Sequence, residues 1–349
     1  NDGSRGAVAA VAEFASTSPF LLPAGPVTVA LGDVAPGALA SASWPLAVAE
    51  SAWGGHLAAC TVTVTTASGT RQVLELSLTT AGANDDSPLG PGTMGYLAWD
   101  DQDPSPDAPV YAWREIDPSH GGPGTSVGLD DYAYEQDDTR TVDLPFNFRY
   151  RGRDYDRISI CSNGWVSLGH TYLVHWRNWA LPAAGSPDVL LAVFWDDLWQ
   201  YGSGRVYHHH DAEDGVYVVQ WSRMRNRHNG QQNCQLILHD PAVHQTATGD
   251  GLIVYQYDQV ANNDYTRGYA TVGIQDGQDG LTYTYYNRYA SGARTLSAGR
   301  AIAFVPTPPA AAASLDISPG SLAVTVAPGA STERVLAISS TGAAGSELH

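Results

Sequence analysis

Short stretches in which apolar and polar residues alternate recur along the chain, and turn-forming residues separate them. Alternation with a period of two puts one set of side chains on a buried face, which is the pattern of a half-buried β-strand. Gly-Pro, Gly-Asp and Ser-Gly pairs between the stretches predict turns. Because no amphipathic helical pattern lies between them, we predict an all-β protein.

The first 86 residues contain several such stretches and predict a small β-sandwich domain. The predicted strands here are Ala7–Ala12, Val27–Leu31, Ser43–Ala49, Cys60–Thr65 and Val73–Leu78.

Residues 141–306 show the clearest strand pattern and predict the sheet core of a large antiparallel sandwich or jelly-roll-like domain. The continuous apolar run Val189–Phe194 predicts a strand buried on both faces. The segment from Asp211 to Gly215 predicts the turn of a hairpin. The remaining predicted strands are Val142–Tyr150, Arg157–Ser162, Trp165–Leu168, Arg205–His210, Val216–Trp221, Gln235–His239, Leu252–Tyr257, Ala270–Ile274, Leu281–Tyr286 and Ala301–Val305.

Two further regions differ in composition from these sheets. Residues 87–140 are acidic and rich in Gly and Pro, yet they hold several Trp and Tyr residues, so we interpret them as an ordered loop region of the large domain (87–306). Residues 307–313 have linker composition. Residues 314–349 predict the first strands of another β-domain that the chain does not complete.

The charge balance excludes several classes of function. The chain has 18 Lys+Arg against 36 Asp+Glu, a net charge of −18, and every basic residue is Arg. We therefore expect no lysine-dependent catalysis, no nucleic-acid partner and no attraction to anionic membranes. No apolar run is long enough for a membrane-spanning helix, so we expect no membrane insertion. The polar start at Asn1 and the incomplete last module indicate a piece of a larger protein.

The large domain resembles the secreted bacterial β-sandwich accessory module, distantly nidogen-like, that accompanies Ig-like repeats beside gingipain-like and subtilisin-like peptidase domains. The resemblance covers about residues 95–306; residues 1–82 resemble an Ig-like module, and residues 314–349 resemble the start of another. It rests on Cys161-Ser162-Asn163-Gly164-Trp165, Arg177-Asn178-Trp179, Phe194-Trp195-Asp196-Asp197-Leu198, Asp240-Pro241, Thr248-Gly249-Asp250-Gly251 and Gly299-Arg300-Ala301-Ile302.

The resemblance implies a secreted or cell-surface location in a bacterium and an accessory role. The implied partners are the other domains of the parent protein. It names neither a ligand nor a catalytic residue, and a cluster of histidines on the 205–221 hairpin is not a general feature of that family.

The histidine cluster is the first candidate for chemistry. His208 and His210 share one face of a predicted strand and supply half of a Zn²⁺ site. A third ligand is expected from His239, with His228, Asp211 or Asp240 as alternatives. Such a site would support a metal-dependent hydrolase of esters or phosphoesters. The alternative is an exposed hairpin that merely tolerates histidine.

Carboxylates supply the second candidate, a Ca²⁺ site. Asp196 and Asp197 end a predicted buried strand, and Asp130 and Asp131 lie in the acidic loop region. Ca²⁺ takes six to eight oxygen ligands, which loop carboxylates and carbonyls provide. The alternative is solvation and pairing with arginine, for instance Asp197 with Arg177.

Aromatic side chains supply the third candidate, a carbohydrate platform. Trp176, Trp179 and Trp199 lie in loop-like surroundings and are candidates for stacking on sugar rings. We expect Trp165 and Trp195 to fill the core instead.

The cysteines leave two alternatives open. Cys60, Cys161 and Cys234 form either one disulfide plus a free thiol or three buried thiols, and a Cys161–Cys234 bridge is possible in principle.

Together these patterns favour a non-catalytic accessory fragment that binds a protein or glycan ligand and is stabilised by Ca²⁺. The zinc-type hydrolase is the alternative function, and a purely structural spacer is a third, so the sequence leaves open whether the chain is an enzyme.

Overall fold

The computed structural model describes most of the first 307 residues and four short strands beyond them. The described ranges are 6–18, 20–49, 52–53, 56–79, 84–132, 136–227, 230–261, 269–307, 311–312, 315–318, 337–340 and 346–347. Within these ranges the regular structure is β-strand apart from two single 3₁₀ turns, Gly92–Met94 and Pro118–His120. This confirms the predicted all-β fold. No helix in the described ranges is long and apolar enough to cross a membrane.

The N-terminal region forms a four-stranded antiparallel sheet with the order β3-β1-β5-β6, accompanied by the small pair β2-β4. A small core between them contains Phe14, Leu21, Ala58 and Cys60, all buried. The strands are β1 (Ala7–Ser16), β2 (Leu21–Pro23), β3 (Thr28–Val34), β4 (Leu46–Val48), β5 (Leu57–Thr65) and β6 (Arg71–Thr79).

The large domain is a sandwich of two antiparallel sheets. The seven-stranded sheet has the order β20-β19-β18-β12-β11-β10-β9, and the eight-stranded sheet has the order β7-β21-β17-β16-β15-β14-β8 with β13 paired to β15. The strands are β7 (Tyr96–Asp100), β8 (Thr125–Ser126), β9 (Thr139–Tyr150), β10 (Arg153–Cys161), β11 (Trp165–Leu168), β12 (Val189–Trp195), β13 (Leu198–Trp199), β14 (Arg205–Asp211), β15 (Val216–Asn226), β16 (Gln231–His239), β17 (Ile253–Gln259), β18 (Thr271–Asp276), β19 (Asp279–Tyr285), β20 (Arg288–Tyr289) and β21 (Arg300–Pro306).

The main hydrophobic core lies between the two sheets and extends from Leu89 to Phe304 in the sequence. β12 is buried on both faces, as its apolar run predicts. Leu191 and Val193 point into this core, whereas Leu190 and Ala192 belong to a separate cluster on the outer face of the seven-stranded sheet.

Each outer face is covered by irregular chain. On the seven-stranded sheet, Leu181 and Ala183 pack over the outer cluster that includes Trp165 and Trp195. On the eight-stranded sheet, residues 101–117, here called the strap, bring Ile116 onto the outer cluster. The acidic region 87–140 therefore contains more than loops, because it also supplies the edge strand β7, all five residues of which are buried.

A row of glutamines fixes the strap to the sheet. Gln220, Gln235 and Gln256 lie side by side on three neighbouring strands, because the strand register pairs the first with the second and the second with the third. The Oε1 atom of Gln256 accepts the N–H of Ala112 at 2.7 Å, and its Nε2 atom donates to the Ala112 carbonyl at 3.0 Å.

The other two glutamines continue this pattern along the strap. Gln235 donates to the carbonyl of Arg114, and the Oε1 atom of Gln220 accepts the N–H of Ile116 at 3.0 Å. Backbone groups of Ala112, Arg114 and Ile116 thus find buried partners, as backbone polar groups away from water require.

The N-terminal region touches the large domain through aromatic rings. The ring of Trp53 packs edge-on against Trp99 of β7 at 5.0 Å between centroids. Nearby, Arg294 pairs with Asp86 and, at 3.1 Å, with the buried Asp100.

The predicted C-terminal module lies largely outside the described residues. Its described strands are β22 (Ala311–Ala312), β23 (Leu315–Ser318), β24 (Ala337–Ser340) and β25 (Ser346–Glu347), with β22 paired to β25 and β23 paired to β24.

Candidate functional site

Two separate sequence motifs meet where β10 and β12 end and β11 begins. The buried Asn163 lies in the turn between β10 and β11. Its Oδ1 atom accepts the N–H of Leu198 at 2.9 Å, and its carbonyl accepts the N–H of Asp196 at 3.2 Å. The turn after β10 and the segment after β12 therefore hold each other in place.

The close contact between the turn after β10 and the end of β12 requires glycine at position 164. Gly164 has a φ of +77°, and a Cβ atom there would lie 1.9 Å from the carbonyl oxygen of Phe194. The Gly164 carbonyl itself accepts the N–H groups of Val193 and Phe194 at 3.1 and 2.9 Å. A side chain at this position would separate the two motifs.

The indole groups of two buried tryptophans anchor residues 170–180. The Nε1 atoms of Trp165 and Trp195 both donate to the carbonyl of His175, each at 2.9 Å. These two rings are 0% and 2% exposed, so they occupy the outer cluster as core residues. Residues 170–180 are thereby fixed along the outer face of the seven-stranded sheet.

Beyond this anchor, the same segment presents its rings outward. Trp179 is 59% exposed and Trp176 is 36% exposed. Between them, Asn178 donates through Nδ2 to the Tyr269 carbonyl at 2.5 Å and to the Thr271 hydroxyl at 3.2 Å. The Thr271 hydroxyl in turn donates to the Trp179 carbonyl at 2.9 Å. The exposed rings are therefore carried on a backbone that hydrogen bonds hold to β18.

Three tyrosines extend this surface. The Tyr285 ring lies 5.8 Å from Trp179 and 5.5 Å from Tyr269, and Tyr286 lies 4.5 Å from Tyr269. We call Trp176, Trp179, Tyr269, Tyr285 and Tyr286 the aromatic shelf. Sequence analysis missed the tyrosines, although adjacent aromatics at a hairpin turn were a usable signal.

Tyr286 has an unusual backbone conformation at the tip of the β19–β20 hairpin. Tyr286 and Asn287 form its two-residue turn, with φ values of +54° and +51°. Asn enters this left-handed region easily, but a bulky ring does so rarely, at a cost of about 1 kcal/mol. The turn places the Tyr286 ring beside Tyr269 at the edge of the shelf, and outliers of this kind cluster at functional sites.

Trp199, the third tryptophan predicted to bind ligand, is not part of the shelf. It is half-buried on β13 and pairs with Arg225 of the eight-stranded sheet.

The four carboxylates predicted to bind Ca²⁺ separate into different environments. Asp130 is exposed and pairs with Arg140 at 3.1 Å. Asp196 is buried and accepts the N–H of Asp197 at 2.8 Å. A nitrogen of Arg227 lies 3.9 Å from Asp197, whereas Arg177 lies over the Trp176 ring, so the predicted pairing of Asp197 with Arg177 is not present.

Asp131 is the most unusual of these residues. It is 0% exposed, and neither of its carboxylate oxygens has a well-aligned hydrogen-bond donor among the described residues. Burial, opposed in part by the Ser162 hydroxyl and reinforced by the charges of Asp137 and Asp197, raises the pKa of Asp131 to about 7.

Two neighbouring carboxylates respond to the same surroundings. Burial and the charge of Asp137 raise the pKa of Asp197 to about 6. Burial also raises the pKa of Asp137, although its hydrogen bond from Asn163 lowers it. We call Asp131, Asp137 and Asp197 the buried acid cluster. Asp137 was missed from the sequence because nothing in its local pattern places it beside Asp197.

Residues 117–315 match the family model described as NIDO related, which covers more than half of the chain. The chain belongs to the NIDO-related family. This confirms the predicted distant nidogen-like relationship of the large domain. No curated protein and no solved structure matches the chain.

Within the NIDO-related region, the first two predicted zinc ligands face the main core. His208 and His210 lie opposite Val219 and Tyr217 on β15, and both partners belong to that core. His208 Nδ1 is 2.6 Å from the Tyr217 hydroxyl. Burial, with a smaller effect from His209, lowers the pKa of His208.

His239, the predicted third ligand, lies on the opposite face of the same sheet. It pairs with Val216, a residue of the outer cluster. Strand periodicity sends His239 to the outer face and His208 and His210 to the inner face, so the structure does not bring the three together. The zinc-type hydrolase hypothesis therefore lacks its expected third ligand.

The alternative ligands have other surroundings. Asp211 pairs with Arg114 at 3.0 Å, and Asp240 accepts the N–H of Ala242 at 2.9 Å. His228 lies outside the described residues. Throughout the described ranges, no three His, Cys, Asp or Glu side chains already surround one metal position.

A groove of about 660 Å³ lies on the outer face of the eight-stranded sheet, beside the strap. Its lining is mainly apolar and includes Val110, Ile237 and Val254. His239 also lines it, and burial followed by the charges of His244 and Arg114 lowers the pKa of this histidine to about 4.

The cysteines of the structure are three buried free thiols. Cys161 belongs to the outer cluster of the seven-stranded sheet, whereas Cys234 belongs to the main core, so they do not meet. Burial raises the pKa of Cys161 to about 12, which keeps it a thiol at neutral pH.

Proposed function

We propose that the NIDO-related domain is a non-catalytic binding module and that it binds a glycan on the aromatic shelf. The observation that carries the proposal is a group of neighbouring rings, several of them exposed, on a backbone fixed by hydrogen bonds. Rings held in this way lose little conformational entropy when a ligand stacks on them.

Polar groups beside the rings fit the same ligand class. The guanidinium of Arg177 lies 5.0 Å from the Trp176 ring centre, and that of Arg288 lies 5.9 Å from the Tyr286 ring centre. These two cations stand out on a chain with a net charge of −18. Sugar C–H faces stack on the rings while arginines bind hydroxyl or carboxylate oxygens, so we expect acidic sugars to be preferred.

We place the module in a larger secreted or cell-surface bacterial protein, where it brings neighbouring domains to their substrate. Support for this context comes from the resemblance of the chain to modules that accompany Ig-like repeats and peptidase domains.

Binding to a glycan array, followed by calorimetry with the best ligand, tests the proposal. We expect Trp179→Ala to weaken binding at least about tenfold, because a central stacking ring contributes much of such an interface. Tyr201→Ala is the matched control, since its ring is 55% exposed and stacks on Arg225 at 4.2 Å but lies outside the shelf.

The control variant is expected to bind as the unchanged protein does. Absence of glycan binding, or binding that Trp179→Ala leaves intact, contradicts the proposal. If the same rings instead bind a protein, the ligand belongs to the other predicted class, a protein rather than a glycan.

A further inference from the structure

No cation among the described residues compensates the charge of the Asp131 carboxylate. Both oxygens are shut off from water and have no well-aligned hydrogen-bond donor, and the Ser162 hydroxyl lowers the pKa of this group only in part. An isolated buried carboxylate costs many kcal/mol if it stays ionised, so a proton or a cation normally accompanies it. Buried unsatisfied groups in folded proteins therefore call for an explanation, and an ion is one of the usual ones.

The neighbours of Asp131 make the charge problem worse. Asn163 donates to Asp137 Oδ1 at 2.8 Å and accepts the N–H of Leu198, which follows Asp197, at 2.9 Å. The Asp131 carbonyl accepts the N–H of Gln200 at 3.0 Å, so these hydrogen bonds hold all three acids near the same turn. The charges of Asp137 and Asp197 accordingly raise the pKa of Asp131.

The nearby Arg140 pairs with Asp138 at 2.9 Å and with Asp130 at 3.1 Å, on the exposed side of the loop. Negative charge therefore accumulates around a carboxylate that water does not reach.

We propose that Asp131, Asp137 and Asp197 bind one divalent cation, and that this cation is Ca²⁺. A cation compensates all three carboxylates at once, which a single proton does not do. Asp137 lies in irregular chain, and Asp197 lies between β12 and β13. Because no three acidic side chains of the described residues already surround one metal position, we expect binding to draw these two toward Asp131.

The donor set selects Ca²⁺ over other metals. The three side chains offer only oxygen, which suits hard cations and not Zn²⁺. Ca²⁺ accepts irregular arrangements of carboxylates, backbone carbonyls and water, whereas Mg²⁺ requires a near-ideal octahedron. Donors from irregular loops meet the first requirement better than the second.

The site also connects to the segment that carries the aromatic shelf. Asn163 donates through Nδ2 to Asp137 Oδ1 at 2.8 Å and to the Val174 carbonyl at 3.2 Å. A cation that fixes Asp137 therefore also orders residues 170–180. This consequence holds whether or not the shelf binds glycan.

Metal content and calorimetry with CaCl₂ alone test the proposal on the full chain. We expect one Ca²⁺ to bind per chain with a dissociation constant of about 1 mM, which is in the range of extracellular modules. Saturating Ca²⁺ is expected to raise the melting temperature by roughly 5 °C. It should also slow hydrogen exchange in residues 170–180, and a chelator should reverse both effects.

Asp131→Asn keeps the shape of the side chain and removes its charge. We expect it to melt at or above the temperature of the metal-free protein and to bind Ca²⁺ at least tenfold more weakly. Asp188→Asn, which changes an exposed aspartate outside the cluster, is the matched control and should bind Ca²⁺ normally.

Two results overturn the proposal. One is that the protein without substitutions binds no Ca²⁺ and melts at the same temperature with Ca²⁺ or chelator. Asp131 would then be a protonated buried acid. The other is an equal response to MgCl₂, which would remove the Ca²⁺ assignment. If Asp131→Asn does not fold, Asp197→Asn replaces it, because that side chain is 15% exposed, and unchanged Ca²⁺ affinity in it also refutes the site.

Discussion

At the scale of single residues, the contact between Gly164 and Phe194 shows how one missing side chain permits the meeting of two motifs. The left-handed φ of Gly164 alone does not demand glycine, since many left-handed positions tolerate another residue at modest cost. The 1.9 Å separation between a Cβ atom and the Phe194 carbonyl does, because backbone on both sides is held by hydrogen bonds.

Gly164→Ala is therefore expected to lower the free energy of unfolding by more than about 3 kcal/mol, the size of a severe steric defect. Gly128→Ala is the matched control, since Gly128 has a φ of +74° with nothing within 4 Å of a new Cβ atom. It should lose only about 1 kcal/mol from backbone strain. Denaturant titration of both variants measures the difference, and equal losses would show that the close contact is unimportant.

At the scale of elements, the strap shows how side chains replace strand pairing. The three glutamines occupy one position on neighbouring strands and bind alternate strap residues. Glutamine carries both a donor and an acceptor, so one side chain satisfies a backbone N–H and a C=O together. The strap is thereby fixed without joining the sheet.

Gln256→Met keeps the length of the side chain but leaves the Ala112 N–H and C=O without partners. We expect a loss of about 1–3 kcal/mol in stability and faster hydrogen exchange in residues 110–117. Gln259→Met, on the exposed end of the same strand, serves as the control and should change neither quantity. Unchanged exchange in Gln256→Met would mean that apolar packing of Ile116 suffices.

At the scale of the whole molecule, the N-terminal core and the main core have separate members. The main core draws on residues from Leu89 to Phe304, and the small N-terminal core draws on residues up to Leu78. The two regions meet through the Trp53–Trp99 contact, while Asp86 and its partner Arg294 both lie within residues 84–307.

A fragment of residues 84–307 is accordingly expected to fold by itself, with a melting temperature within a few degrees of the large-domain transition in the full chain. A second fragment starting at residue 102 lacks β7 and the buried Asp100 that pairs with Arg300 at 3.0 Å. We expect that fragment to unfold or aggregate, because β21 becomes an open edge. Circular dichroism and calorimetry compare the two, and an unfolded longer fragment would show that the N-terminal region is required.

The sequence by itself determined the local structure. Most predicted strands appear because alternation and doubly apolar runs are properties of a few consecutive residues, as in β12, β15 and β16. The burial of Trp165 and Trp195 followed from the same patterns. β7 was missed because its five residues lie in a stretch whose composition resembles a loop.

Only the tertiary structure decided which residues meet. Strand order and register set the face on which a side chain lies, and they separated His239 from His208 while bringing Tyr285 beside Trp179. The buried acid cluster likewise joins a loop before β9 to the segment after β12. Such juxtapositions depend on pairing between distant strands, and no local pattern encodes that pairing because its free energy comes from the packed core as a whole.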